Sequence, residues 1–445
     1  MPTPPSQRDP IARWASPVIG GVLGSRAASY SRTWFQSAQI FLLSSAAMFG
    51  IGLFVQAPCY GNGWVEAKKF TRVCSTPLID QYKLLVAPVS SEQVITSPAS
   101  GTASGAAAGF GAPGHELLFR ALATLVPDGS LTAQSRWFFV IAMFVIALGL
   151  GFAVLATARI LGDDRRWQLA TFGLSAVLPL ALPQSFTIVA IALSLWGLIF
   201  WLGATRRGRS PMLGGLLIGL AALFSPLAML FALAIVIHSA KQWSKRGGQA
   251  LMLAGSATVV LAIGFLLTPD RFQRLSGMLD DPVGPGSLVW TLIPLHISAL
   301  PNIGLVLAGI GIAATLVLTT ALALASHRQW GIAPILLLLF AGTFLVLPSL
   351  PPQLSLWFVP LACIAVRDWR LHLPWMLIEV FFVICLSLYQ HGDVVENKGG
   401  PLWAVAVFIV LRLAAITAIA GFALSEQLSR EIRHPRTPAG SRGFG

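Results

Sequence analysis

The stretch GLLIGLAALFSPLAMLFALAIVI, from Gly215 to Ile237, decides the topology of this 445-residue chain. It is apolar throughout, and Ser225 and Pro226 interrupt it near its middle. Proline removes a helix hydrogen bond and serine can re-satisfy the freed backbone, so the pair favours a hairpin that enters the membrane and returns. The alternative is one tilted helix kinked at Pro226, which would place Lys241 and everything after it on the opposite side.

The composition requires a lipid environment. Hydrophobic residues make up 55% of the chain, charged residues make up 11%, and the mean hydropathy is +0.75. Such a chain has too little polar surface to cover a soluble globule of this length. A bilayer core admits only helices or closed barrels, and the apolar runs are too long for barrel strands. The sequence therefore predicts an all-α integral membrane protein.

Apolar runs bounded by charges, Pro or Gly clusters predict a bundle of about twelve transmembrane or re-entrant helices. Several runs are shorter than the roughly 20 residues of a free-standing span, which indicates helices sheltered inside the bundle or entering only part way. The predicted runs are 37–56, 137–161, 168–182, 186–202, 212–224, 226–238, 249–267, 303–325, 331–347, 354–366, 373–389 and 401–424.

Lysine and arginine gather on one side of the membrane if the hairpin interpretation holds. The chain carries 30 Lys+Arg against 17 Asp+Glu. In a membrane protein this surplus favours cytoplasmic loops and anionic lipid headgroups, not nucleic acid. We therefore predict a multi-pass plasma-membrane protein with a cytoplasmic basic arm (1–36), a transmembrane domain (37–424) and a cytoplasmic basic tail (425–445). Its large outer loops are then 57–135 and 268–302.

The first outer loop contains two cysteines and a candidate functional carboxylate. Cys59 and Cys74 would lie in an oxidising compartment, where a disulfide between them would stabilise the loop by about 3 kcal/mol. Asp80 follows among apolar neighbours and Tyr82, which would hold it near the membrane surface. From His115 onward, apolar residues at helical spacing predict an amphipathic helix.

Further charges lie in the second outer loop and inside the predicted spans. Arg271 and Arg274, at i and i+3 of a predicted short helix, could grip a phosphate or meet lipid headgroups. Glu379 and Arg412 are the charges nearest mid-helix, so they form a candidate intramembrane pair. Because no nucleotide-binding, zinc or dinucleotide motif occurs, the sequence predicts neither a metal nor a cofactor.

Three stretches carry a family resemblance. QLSLWFVPLACIAVRDWRLHLPWMLIEVF, from Gln353 to Phe381, resembles the late-helix pattern of the actinobacterial polyprenyl-phosphate-mannose-dependent glycosyltransferases. QAPC, from Gln56 to Cys59, with a second Cys and a Tyr eight residues after it, resembles that family's first outer loop. GGLLIGLAALFSPLAML, from Gly214 to Leu230, resembles its hairpin. The three stretches occur in the family's order.

The resemblance implies a C-type glycosyltransferase fold that moves a sugar, mannose in that family, from a polyprenyl monophosphate to a lipid or cell-envelope glycan acceptor. A carboxylate of the first outer loop would take the acceptor's proton while cations hold the departing phosphate. On this expectation the partners are the lipid donor, the acceptor and membrane lipids. The catalytic candidates are Asp80 and Glu116, and the substrate-binding candidates are Arg271, Arg274, Tyr82 and Gln353.

The sequence departs from the family at the expected base. That family has Asp three residues after the second Cys, where this chain has Pro77, and Asp80 comes three residues later. In an extended chain three residues span about 10 Å. Ser225 also replaces the family's hairpin Lys. The base is thus Asp80, or Glu116 in its place, or lost. A silent relative acting as a scaffold or lipid-binding subunit, and a transporter or flippase, are the alternative hypotheses.

Overall fold

The computed structural model describes residues 34–64, 68–86, 112–207, 210–267, 284, 286–291, 303–326, 329–391 and 403–433. Within these ranges all regular structure is helical, which confirms the all-α class. Most of the predicted basic arm, most of the second outer loop with Arg271 and Arg274, and the end of the basic tail lie outside the described residues.

Most of the described helices follow the predicted apolar runs, and three lie within the predicted first outer loop, 57–135. In chain order they are α1 (Trp34–Asn62), α2 (Lys68–Thr71), α3 (Pro77–Val86), α4 (Pro113–Ala123), α5 (Leu131–Leu161), α6 (Leu169–Gly173), α7 (Val177–Ala181), α8 (Thr187–Arg207), α9 (Met212–Phe224), α10 (Met229–Ser239), α11 (Gly248–Leu266), α12 (Ile303–Ala325), α13 (Ile332–Val346), α14 (Ser355–Ala365), α15 (Trp369–His391) and α16 (Trp403–Arg433). Short 3-10 turns connect several of them, including Leu182–Gln184, Pro226–Ala228 and Pro352–Leu354.

Seven helical stretches of the described chain are long and apolar enough to cross a membrane, so the protein is a multi-pass membrane protein. Three shorter apolar helices accompany them, over Met212–Phe224, Ile332–Val346 and Pro352–Ala365. The finer count of about twelve stays a prediction. The seven long stretches are Ala38–Asn62, Leu131–Leu161, Thr187–Ala204, Pro226–Leu266, Val306–Ala325, Trp369–His391 and Trp403–Ser429.

The predicted run 168–182 is not one helix. It is divided into α6 and α7, with a break between Gly173 and Val177. Proline in a helix clashes with the carbonyl four residues earlier. Pro179 therefore disfavours helical backbone at Ser175, and the break lies there. The broken segment packs along α1, whose Gly52 approaches the backbone of Pro179.

The chain leaves the helical conformation where the Ser-Pro pair predicted a break. α9 ends at Phe224, and Ser225 has an extended backbone (φ -155°, ψ 118°). The 3-10 turn Pro226–Ala228 then leads into α10.

α9 and α11 lie side by side and run in the same direction. Gly215, early in α9, packs against Leu253, early in α11, and Leu223, late in α9, packs against Gly264, late in α11. Because α10 joins the end of one parallel helix to the start of the other, the chain must return through it. The stretch from Gly215 to Ile237 is therefore a hairpin, not one kinked helix.

The two ends of the bundle differ in character. One end, called here the disulfide end, holds α2, α3 and α4. At the other, the basic end, Trp201 of α8 packs against His238 of α10 with ring centroids 5.6 Å apart. Lys241, just after α10, donates to the carbonyl of Ser326, just after α12. The loops that follow α8, α10 and α12 therefore meet, and we predict from their Lys and Arg content that this end faces the cytoplasm.

This orientation can be tested by cysteine labelling in intact cells. Gly248 and Gly129 are both exposed, at the basic end and the disulfide end respectively. With Cys363 and Cys385 replaced by Ala, a membrane-impermeant maleimide should label Gly129→Cys and leave Gly248→Cys unlabelled until the membrane is permeabilised. The reverse pattern would show that the orientation is wrong.

Candidate functional site

A disulfide between Cys59 and Cys74 organises the disulfide end. Cys59 lies in the last turn of α1, and Cys74 lies between α2 and α3, so the bond closes a loop that contains α2. Both cysteines are buried. Trp64 donates from Nε1 to the carbonyl of Cys74 (3.0 Å) and packs against Phe139 (4.9 Å between ring centroids). The loop is therefore fixed to α5 as well as to α1.

α3 carries Asp80, and its neighbours Leu78, Ile79, Gln81 and Tyr82 are buried. Tyr82 stacks on Phe138 with ring centroids 4.5 Å apart, and burial raises the pKa of its hydroxyl. Just before the helix, Thr76 donates to the carbonyl of Pro183 (2.6 Å). Tyr82, a predicted substrate contact, is only 2% exposed and belongs to this packing.

Asp80 is paired with Lys69 of α2. Lys69 Nζ lies 2.8 Å from Oδ1 and 3.0 Å from Oδ2, so one ammonium donates to both carboxylate oxygens. The Lys69 side chain is 17% exposed and that of Asp80 is 36% exposed. Solvent therefore reaches the pair, although the disulfide and α5 fix its backbone. The sequence patterns did not predict a role for Lys69. Its position between Cys59 and Cys74, inside the loop that the disulfide closes, could have indicated one.

A second lysine, Lys83, stands one turn beyond Asp80. Its Nζ donates to the carbonyls of Gly63 (2.7 Å) and Trp64 (3.0 Å). Burial lowers the pKa of Lys83, the charge of Asp80 opposes this shift, and the charge of Lys69 adds to it. Among the residues that the structure describes, the site thus holds two ammonium groups for one carboxylate, a balance that attracts an anionic ligand.

Glu116, the second candidate base, lies in α4 with a cationic partner of its own. Its Oε1 is 2.6 Å from Nη2 of Arg120, and its side chain is 9% exposed. On the same helix, His115 packs edge-on against Phe186, at 5.4 Å between ring centroids. The predicted amphipathic helix is therefore present, and its Glu116 is buried within the fold.

The predicted intramembrane pair, Glu379 and Arg412, is formed in the structure. Arg412 Nε lies 2.8 Å from Glu379 Oε1, and the two side chains are 0% and 2% exposed. Ser355 Oγ (2.8 Å) and Trp375 Nε1 (3.1 Å) donate to the same oxygen. Three donors from three helices thus converge on one carboxylate oxygen.

Arg412 also fixes the turn that precedes α14. It donates to the carbonyls of Leu350 and Pro351 (3.4 Å for the latter) and to Ser355 Oγ (2.6 Å). Its guanidinium lies over the ring of Phe382, 4.5 Å from the centroid. Gln353, a predicted substrate contact, lies in this turn, and its buried Oε1 has no hydrogen-bond partner among the described residues.

A short described part of the second outer loop covers the same turn. Gly284 N donates to the carbonyl of Pro348 (3.0 Å), and Trp290 packs edge-on against Tyr389 at 5.3 Å. α2 packs against α15, and α7 packs against the turn Pro352–Leu354. The Lys69–Asp80 pair and the turn held by Arg412 therefore lie at the same end of the bundle.

Comparison of the chain with protein-family models, with curated proteins and with solved structures found no match. We therefore infer function from the side chains at the disulfide end, together with the resemblance in the sequence.

Loss of the disulfide should destabilise the disulfide end. The double substitution Cys59→Ala and Cys74→Ala removes a cross-link between residues 15 apart in sequence. A disulfide that closes a loop of this length stabilises the folded state by about 3 kcal/mol. We expect a lower midpoint of thermal unfolding in detergent, whereas Cys385→Ala, the control, should change it little. Detection of Cys59 and Cys74 as free thiols, by mass spectrometry of non-reduced, alkylated protein, would contradict the pairing.

Removal of Arg412 should be more damaging than removal of the whole buried pair. Arg412→Met leaves the Glu379 carboxylate buried without a countercharge, which costs about 3 to 5 kcal/mol. The double variant Arg412→Met with Glu379→Met buries no charge and should unfold at a higher temperature than the single variant. Equal unfolding temperatures for both would show that the charges are not coupled.

Proposed function

We propose that this protein is a membrane glycosyltransferase of the C-type architecture, with about twelve transmembrane or re-entrant helices and both termini in the cytoplasm. It would transfer a sugar, mannose by resemblance, from a polyprenyl monophosphate donor to a lipid or cell-envelope glycan acceptor. The observation that carries the proposal is the Lys69–Asp80 pair, a partly exposed carboxylate and ammonium held by a disulfide at one end of a membrane bundle.

The proposed reaction is a direct displacement at the sugar's anomeric carbon. The acceptor oxygen forms a bond to that carbon as the bond to the phosphate oxygen breaks, so the configuration inverts. Asp80 takes the proton of the acceptor hydroxyl, and the electron pair of the broken bond leaves on the polyprenyl phosphate. Lys69, the described cation that contacts Asp80, would hold that phosphate, and Arg271 and Arg274 remain candidates beside it.

Asp80 suits the role of base better than Glu116. The Asp80 side chain is 36% exposed and that of Glu116 is 9% exposed. A general base must come within hydrogen-bond reach of the hydroxyl that it deprotonates. An acceptor arriving from outside the bundle meets the partly exposed Asp80 side chain, whereas Glu116 would first have to be uncovered.

The buried Glu379–Arg412 pair favours a structural role over the transporter hypothesis. Transported ions need polar groups that line a path or a water-filled cavity. Here both side chains are almost fully buried, and their bonds hold α14, α15 and α16 together. The next experiment distinguishes a transferase from a scaffold that has no catalytic activity.

Turnover should depend on Asp80. Asp80→Asn keeps the shape of the side chain but cannot accept the acceptor's proton, so transfer from a polyprenyl-phosphate sugar should fall by about 10² to 10⁴. Glu116→Gln, which makes the same chemical change in a buried carboxylate, should have little effect. The measurement is incorporation of labelled sugar from the lipid donor by purified protein and membrane acceptors. If the wild-type protein transfers sugar to no acceptor, the transferase proposal is wrong and the scaffold hypothesis remains.

A further inference from the structure

The Lys69 ammonium donates hydrogen bonds to both carboxylate oxygens of Asp80. Lys69 Nζ is within 3.0 Å of each of them. A carboxylate held in this way competes poorly for an acceptor hydroxyl, because its best lone pairs already accept from a charged donor. Asp80 therefore becomes fully available to an acceptor hydroxyl once Lys69 has moved.

We propose that the phosphate group of the polyprenyl substrate opens this ion pair by taking the Lys69 ammonium for itself and thereby releasing Asp80. The inference rests on the proposed function and adds a condition to it: Asp80 is fully available as a base when the lipid phosphate is bound.

The contacts of the two lysines identify Lys69 as the mobile one. Lys83 is held by two carbonyl oxygens, which a phosphate would have to displace. Lys69 contacts Asp80 and the face of the Phe70 ring, 5.1 Å from its centroid. A lysine has a flexible stem and a point charge that can turn toward a new partner. Because both side chains of this pair are partly exposed, solvent weakens their attraction, and Lys69 can exchange Asp80 for another anion at little cost.

The proposed reaction itself shifts the preference of Lys69 from Asp80 to the phosphate. In the donor, the phosphodiester carries one negative charge and Asp80 carries another. As the sugar leaves, the phosphate becomes a monoester with a charge approaching two, while the proton of the acceptor neutralises Asp80. Attraction for Lys69 therefore grows on the phosphate and vanishes at Asp80, which stabilises the transition state relative to the bound substrate.

The test is equilibrium binding of polyprenyl phosphate to the purified full-length protein in nanodiscs of neutral lipid. Loss of one charge-assisted hydrogen bond should make Lys69→Gln bind about tenfold more weakly. Asp80→Asn frees the ammonium and should bind about tenfold more tightly. Lys69→Arg keeps the charge and should retain binding. Arg72→Gln removes a charge from an exposed residue of the same loop and should bind like the wild type.

Competition distinguishes the source of the phosphate. Neutral polyprenol should not compete for the site, and neither inorganic phosphate nor nanodiscs with phosphatidylglycerol should displace polyprenyl phosphate at equal concentration. Displacement by phosphatidylglycerol would overturn the assignment and identify a general lipid-headgroup site.

The opposite shifts of Lys69→Gln and Asp80→Asn are the decisive result. Weaker binding in both variants would indicate that the pair is only structural, and unchanged binding in both would place the phosphate elsewhere. Either outcome overturns the inference, even if the wild type transfers sugar. Opposite shifts in a protein that transfers no sugar would support the phosphate site and reject the transferase proposal.

Discussion

The buried pair of Arg412 and Glu379 is the interaction on which the arrangement of the last three helices depends. A guanidinium in a helix bundle must find its partners inside the protein, because neither lipid nor water can reach it. Arg412 finds them on α15 and at the start of α14, and in the turn between α13 and α14. The backbone of that turn is therefore held by a charge, not only by packing. The described residues of the predicted second outer loop contact this turn, and so does α7.

The Lys69–Asp80 pair is also an ion pair between a carboxylate and a cation, but it does not fix the backbone around it. Both side chains are partly exposed, so water and salt weaken the attraction between them. Either side chain can therefore leave the pair and bind a different partner. Breaking the Arg412–Glu379 pair would instead leave a buried charge uncompensated. The degree of burial thus distinguishes an ion pair that fixes a turn from one whose partners are free to exchange. The disulfide between Cys59 and Cys74 makes this possible, because it positions α2 and α3 without help from the ion pair.

Local sequence patterns predicted most of the helices and the break at Ser225, since hydrophobic runs and proline act over a few residues. They also indicated the disulfide and the intramembrane pair, because two cysteines in one loop and two lone charges in apolar helices have few other partners. They did not indicate that Lys69 pairs with Asp80 or that Tyr82 is buried against Phe138. Those contacts depend on how α2 and α3 return onto α5, which no local pattern specifies.

The displaced carboxylate has a simple structural explanation. Pro77 stands where the resembling family has its Asp, and in this chain Pro77 is the first residue of α3. Proline is favoured at that position because its missing N–H would be unpaired there anyway. Once the chain is helical, three residues advance only about 4.5 Å along the axis, not the 10 Å or so of an extended chain. Within α3, Asp80 thus lies about one turn beyond Pro77, nearer to the position that the resemblance gives the base than an extended chain would place it.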